Sequence, residues 1–298
     1  MKRLIGTIVL GAFIVLVGRN ELQAQRADYP YAPPWFGPHA LPVPPIDLGR
    51  IARSTEFAPR LSTAIASGQQ SYALHVDLEV PLISEAVSVR GWGVIEEYYS
   101  LSETEAKRME VPKGEERGFM GGDYYLQTRI RLLREAQGLK PNLLLNITLK
   151  TAAAPSGRSH RFHDTPGYYF SLEGGKDLLH TDEFRLRAAL HLGFLCWETG
   201  LASHQDDALM YGGQLSASWR SLELRTDLSG YAGWKHGAYH PEYGDQPISW
   251  RASLSYRLGQ ACTLTADIEQ GLRHYPYTLL GMGVRFAIPR LTPRLRPN

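Results

Sequence analysis

Cysteine is nearly absent. Cys196 and Cys262 are the only two in 298 residues, so no dense disulfide framework holds the chain and its order must come from burial. Long hydrophobic runs are missing as well: beyond the first two dozen residues no 18 uninterrupted apolar residues occur, which excludes a bundle of membrane-crossing helices. Charge of one sign is also lacking, since 32 Lys and Arg stand against 30 Asp and Glu. The sequence contains no phosphate-cradling glycine motif, nucleophile elbow or zinc-protease motif, and no cofactor or metal is expected. None of these absences excludes a β-barrel of the outer-membrane kind, whose alternating apolar and polar residues average to an ordinary composition. Here 43% of residues are hydrophobic and 21% charged, so the chain is no disordered polyampholyte either.

The first residues read as an address. Met1-Lys2-Arg3 is a short basic start, Leu4 to Gly18 is apolar, and Leu22-Gln23-Ala24 before Gln25 fits a cleavage site. The apolar run is too short for a spanning helix, so residues 1–24 are expected to be a cleaved export signal. Their removal takes Lys plus Arg from 32 to 29 and Asp plus Glu from 30 to 29. A neutral mature chain argues against nucleic acid as a partner.

Residues 25–53 are rich in proline and aromatics, with PWFGPHALPVPP at their centre. Proline lacks the amide donor and fixes its own φ, so this stretch forms neither helix nor central strand. It reads as a periplasmic segment or as a plug with Trp35 and Phe36 packed into the mouth of the folded domain. Composition alone favours the spacer.

From residue 54 the period is two. Tyr72, Leu74, Val76, Leu78, Val80 and Leu82 share one face, with Ser71, Ala73, His75, Asp77 and Glu79 on the other. The same alternation recurs twelve times up to residue 288, mostly in runs of ten to thirteen residues, enough to cross a bilayer when tilted. Connections alternate short and long, the first excepted, as periplasmic turns and extracellular loops do. Tyr168, Tyr211, Trp234, Trp250 and Tyr277 fall at the outer ends and Trp219, Tyr256 and Phe286 near the inner ends, the two-girdle pattern of interface-seeking rings. The expected fold is therefore all-β: an antiparallel, up-and-down transmembrane barrel of about twelve strands over 54–288, followed by a basic tail at 289–298. A soluble sandwich needs no girdles and usually has shorter strands. Cys196 and Cys262 are placed at opposite ends of their strands, facing lipid and unbridged.

The stretches GGDYYLQTRIRLL, NITLKTA, DTPGYYFSLEGGKD, GFLCWETG, LMYGGQLS, GYAGW and QGLRHYPYTLLGMGVRF, together with PWFGPHALPVP, resemble a group of outer-membrane β-barrel proteins of Bacteroidota. The resemblance runs over nearly all of the mature chain and implies fold and location. It brings no reaction, so it assigns no catalytic residue. The ending departs from barrels in general, because the chain continues past Phe286 through AIPRLTPRLRPN.

If the apolar face meets lipid, the other face lines a lumen. Arg129, Arg131, Lys150, Arg225, Asp227, Arg251, Arg257, Asp267, Glu269 and Arg285 then point inward and would set selectivity; Glu96 is placed inward by the same count. The short turn Gly259-Gln260-Ala261 sets Arg251 opposite Glu269, a favourable cross-strand pair. Twelve strands do not decide between a filled interior and an open passage. The reading that follows is a narrow porin-like channel for small polar or charged solutes in the outer membrane of a Gram-negative cell. Its access would be controlled by the charged loop 100–122, and its partners would be outer-membrane lipid, lipopolysaccharide and the barrel-insertion machinery. Two alternatives stand beside it. One is a plugged structural barrel; the other is a lipid or lipopolysaccharide hydrolase using Ser159, His160, His163 and Asp164, which supply nucleophile, base and acid in one outer loop. Crowding in sequence does not establish a triad, and an enzyme is the less favoured reading. His236, His240, Glu242 and Asp245 offer metal-binding types without a helix to align them.

Overall fold

The computed structural model describes residues 32–136, 138–155, 159–163, 165–198, 207–233 and 245–293. The export-signal reading, Trp234, Asp164 and the candidate ligands at 236–242 lie outside them. The strands run in sequence order: β1 (Thr55–Phe57), β2 (Arg60–Ala66), β3 (Gln69–Ile83), β4 (Val87–Leu101), β5 (Arg117–Met120), β6 (Tyr124–Leu133), β7 (Asn142–Lys150), β8 (Gly167–His180), β9 (Phe184–Trp197), β10 (Asp207–Trp219), β11 (Leu222–Gly233), β12 (Ile248–Leu258), β13 (Cys262–Arg273) and β14 (Thr278–Ile288). One short helix, α1 (Glu103–Arg108), lies between β4 and β5.

Neighbouring strands pair antiparallel around the sheet, and β14 closes it on both β1 and β2. β1 and β2 are two parts of one stave. Both pair with β3 and β14, and Pro59, which has no amide to give the ladder, separates them. With β5 lying beside the top of β4, the barrel has twelve staves. Closure removes the exposed sheet edge, which no lipid-facing strand could leave unpaired.

The burial pattern is inverted relative to a soluble sandwich. Outward leucines are bare, with Leu190 and Met282 each 72% exposed, while Glu79, Arg129, Glu173 and Arg187 are buried inside. An apolar belt of this kind around a polar interior belongs to a barrel facing lipid. Long connections gather at one end, taken here as the outer end; at the other, tight turns such as Arg220-Ser221 reverse the chain.

Two features depart from the sequence reading. Leu74 pairs with Glu96 and His75 with Val94, so Ile95 is an extra residue in β4. A bulge shifts the side-chain alternation by one, and Glu97 rather than Glu96 is turned inside and fully buried. The larger departure concerns the Pro-rich segment: from Ala32 onward it lies within the barrel, not beneath it.

Candidate functional site: the barrel lumen

The lumen wall is charged and paired. Arg129 on β6 reaches Glu79 on β3 at 3.2 Å, and Arg251 on β12 reaches Glu269 at 2.9 Å and Asp227 at 3.3 Å. Arg60 grips Asp267 at 2.5 Å, Arg131 reaches Glu85 at 3.4 Å, Arg285 reaches Glu56 at 3.6 Å, and Arg225 pairs with Glu223. Arg257 differs: its guanidinium donates to the Arg220 carbonyl at 2.9 Å and has no carboxylate partner among the described residues. Burying such ions is costly unless each is paired and hydrogen-bonded, and here the partners come from the same stave, the next one or the next but one.

Through this wall runs the segment 32–53. At the outer end the Tyr277 hydroxyl donates to the Phe36 carbonyl, and Tyr275 donates to that of Pro38 at 2.8 Å. Midway, Arg251 donates to the Val43 carbonyl at 2.5 Å, and Gln214 accepts from Leu48 N–H at 3.1 Å while donating to the Ile46 carbonyl at 2.9 Å. Further in, Arg187 donates to the Leu48 carbonyl at 2.6 Å, and Glu173 accepts from the amides of Asp47 and Gly49. Asp47 pairs with Arg90, and Arg50 with Asp177 at 2.6 Å. A chain with few amide donors and no sheet partner thus has its backbone groups satisfied by side chains.

Shape fits as well as bonding. Gly49 has φ of +59°, a conformation open to glycine, and passes the wall at Gly175. A Cβ on Gly175 would lie 2.3 Å from the Leu48 carbonyl oxygen. In the outer half the segment contributes Trp35, Phe36, Leu41 and Val43 to an apolar cluster with inward-facing Tyr125, Tyr169, Leu195, Trp197, Met210 and Tyr231. These apolar wall residues lie outside the set of charged lumen positions that the sequence pattern picks out. Their parity with charged inward neighbours, as Leu195 and Trp197 share that of Arg187 and His191, is the signal that carries them.

The outer loops complete the cap. Helix α1 is capped by Ser102, and its Arg108 donates to the Pro34 carbonyl at 2.8 Å while lying over the Trp35 ring. Arg161 is fully buried between Glu97 at 2.8 Å and Gln69 at 2.7 Å. Lys150 lines no passage: it pairs with Asp123 at 2.7 Å and donates to the carbonyls of His163 and Thr165, tying loop 151–166 down. Ser159, His160 and His163 are all buried. The Ser159 hydroxyl meets Met120 Sδ at 3.8 Å, the His160 carbonyl accepts from Gly37, and the His163 ring bonds Thr165 and stands edge-on to Phe36. Ser159 thus packs against β5, while His160 and His163 pack the loop onto the segment. Burial lowers the His160 pKa to about 4, and burial together with Lys150 pushes that of His163 well below its ordinary value.

Of the girdle residues, Tyr168, Trp219, Trp250, Tyr256 and Phe286 are exposed on the outer face, and Tyr211 shares it. Tyr277 is corrected. It sits at the right height but is buried and turned inward, because it shares parity with Leu279 and Arg285 on the lumen face of β14. Cys196 and Cys262 are not joined by a disulfide.

No family model and no curated protein matches the sequence. Among solved structures the chain is similar to the COG4313 outer membrane channel from Pseudomonas putida F1, with 11% identity over 84% of this chain and 97% of that one, at a TM-score of 0.56. The two share a closed antiparallel β-barrel fold. The chain is also similar to the KdgM porin (10% identity, 78% of this chain and 99% of that one, TM-score 0.45) and the NanC porin (7%, 78% and 100%, 0.46). At such identities the likeness is one of architecture.

Proposed function

We propose that this protein is a porin-like channel of the outer membrane, closed at rest by its own residues 32–53, which passes small polar or charged solutes when that segment leaves the lumen. The observation that carries the reading is the bonding of the segment: Gln214, Arg251, Arg187, Tyr275 and Tyr277 hold its backbone by polar contacts. Water or a polar solute can replace each of these, and the wall left behind would be ion-paired along the inner half, with Tyr125, Tyr169, Trp197 and Tyr231 lining the outer half. Export by residues 1–24, insertion by the barrel machinery of a Gram-negative cell, and contact of the leucine belt with lipid and lipopolysaccharide belong to the same proposal. The resemblance of its motifs to outer-membrane barrels of Bacteroidota is part of the same proposal.

A permanently plugged structural barrel is the second reading, favoured by the apolar cluster around Trp35 and Phe36. Liposome swelling separates the two. Vesicles carrying the Gly175→Val protein should take up small charged sugars faster than vesicles carrying the unaltered protein. Equal rates, with both proteins inserted as heat-modifiable barrels, favour the structural reading.

A further inference from the structure

The periplasmic mouth carries positive charge that the wall does not neutralise. A cavity of about 560 Å³ opens there, lined by Arg50, Arg53, Arg131, Arg134, Arg185 and Arg257 against Glu85, Glu135 and Asp177. A second cavity of about 320 Å³ adjoins it and shares His180, Arg185 and Arg257. The three carboxylates are already shared. Glu85 serves Arg53 at 2.8 Å and Arg131 at 3.4 Å; Asp177 serves Arg50 and Arg187, with Arg185 at 3.8 Å; Glu135 serves Arg187 at 2.7 Å and Lys176 at 3.5 Å. Arg134 and Arg257 have no carboxylate partner among the described residues, and both are exposed toward the cavity.

Guanidinium groups converging on a concavity repel one another, and an anion entering it removes that repulsion. Their planar forks suit the paired oxygens of carboxylate and phosphate, and a concave wall with an excess of one sign, six arginines against three carboxylates here, concentrates the opposite charge. We propose that this vestibule binds a small polyanion bearing two or more phosphate or carboxylate groups. A single small anion would engage one fork; a polyanion reaches arginines contributed by the turn after β6, by β9 and by β12 together. Arg131, Arg134, Arg185 and Arg257 belong to the barrel and not to segment 32–53, so they line this mouth whether or not the segment stays docked, and the proposal does not rest on channel activity.

The test is calorimetric titration of the refolded full chain in detergent at low ionic strength, with tripolyphosphate and citrate as separate probes. Saturable binding of at least one is expected, weakening as salt is added. Arg134→Gln combined with Arg257→Gln should weaken it roughly ten-fold, on the order of one lost charge-assisted hydrogen bond. Arg117→Gln, at the outer end on β5, should leave it unchanged. Binding of tripolyphosphate alone assigns phosphate, binding of citrate alone assigns carboxylate, and binding of both assigns the shared polyanion chemistry. The proposal is overturned if neither probe saturates, or if the double variant, folded as judged by heat-modifiable migration, binds as the Arg117→Gln protein does.

Discussion

The Leu48 carbonyl oxygen lies where a side chain on Gly175 would begin, 2.3 Å from the position of that absent Cβ. The segment and the wall therefore meet backbone to backbone at this level. Gly175→Val inserts three carbons where there is no space, and the neighbour is main chain, which cannot swing aside as a flexible side chain would. The segment should be displaced and trypsin should cut at Arg50 and Arg53 several-fold faster, while the barrel itself remains heat-modifiable. Unchanged cleavage would mean that the segment does not sit against Gly175.

Glu173 offers a second test. It is buried and accepts from the amides of Asp47 and Gly49. Glu173→Leu leaves those amides without their acceptor at a cost of about 1–3 kcal/mol, and the loss falls on docking of the segment. Hydrogen exchange at residues 46–50 should accelerate, with exchange in β10 and β11 little altered.

The two buried histidines predict an acid response. His160, lowered to about 4, and His163, also lowered well below its ordinary value, are neutral while the loop that carries them is docked. Once undocked they return toward the ordinary value of 6.5, so the undocked state binds more protons. Docking is then fully present above about pH 6.5 and weakens as pH falls toward 4. Protease cleavage at Arg161 should rise over that window, and His160→Gln should reduce the rise. A flat profile would show that these rings do not gate the loop.

Lys150 and Asp123 predict a larger effect at the same loop. Lys150→Met removes the cation that pairs with Asp123 and binds two loop carbonyls. Breaking a buried pair from one side costs about 3–5 kcal/mol, and Arg161 should become cleavable at neutral pH. Removing both charges with Asp123→Asn added should recover part of the loss.

Much of the barrel was legible because its signal is local. Alternation marks each strand, and a three-residue turn fixed the register that brings Arg251 to Glu269. Parity also held the true place of Tyr277, eight residues before inward Arg285; height along the strand was the poorer guide. Glu97 could not be found in this way, since one extra residue at Ile95 reverses the count and nothing in IEEYYS marks it. The segment was illegible for a different reason. Its acceptors are backbone carbonyls, identical in every sequence, and their donors lie far along the chain, as Tyr277 does from Phe36. Proline content describes what the segment cannot form by itself, and a spacer and a lumen strap meet that description equally.

Single-channel conductance in a planar bilayer tests the central claim most directly, comparing the mature chain 25–298 with the same chain lacking residues 25–50. A lumen closed by its own segment gives a nearly silent mature chain, and large, steady steps once the segment is gone. Equal conductance from two inserted, heat-modifiable barrels would contradict that claim, because the segment would then not be what closes the lumen.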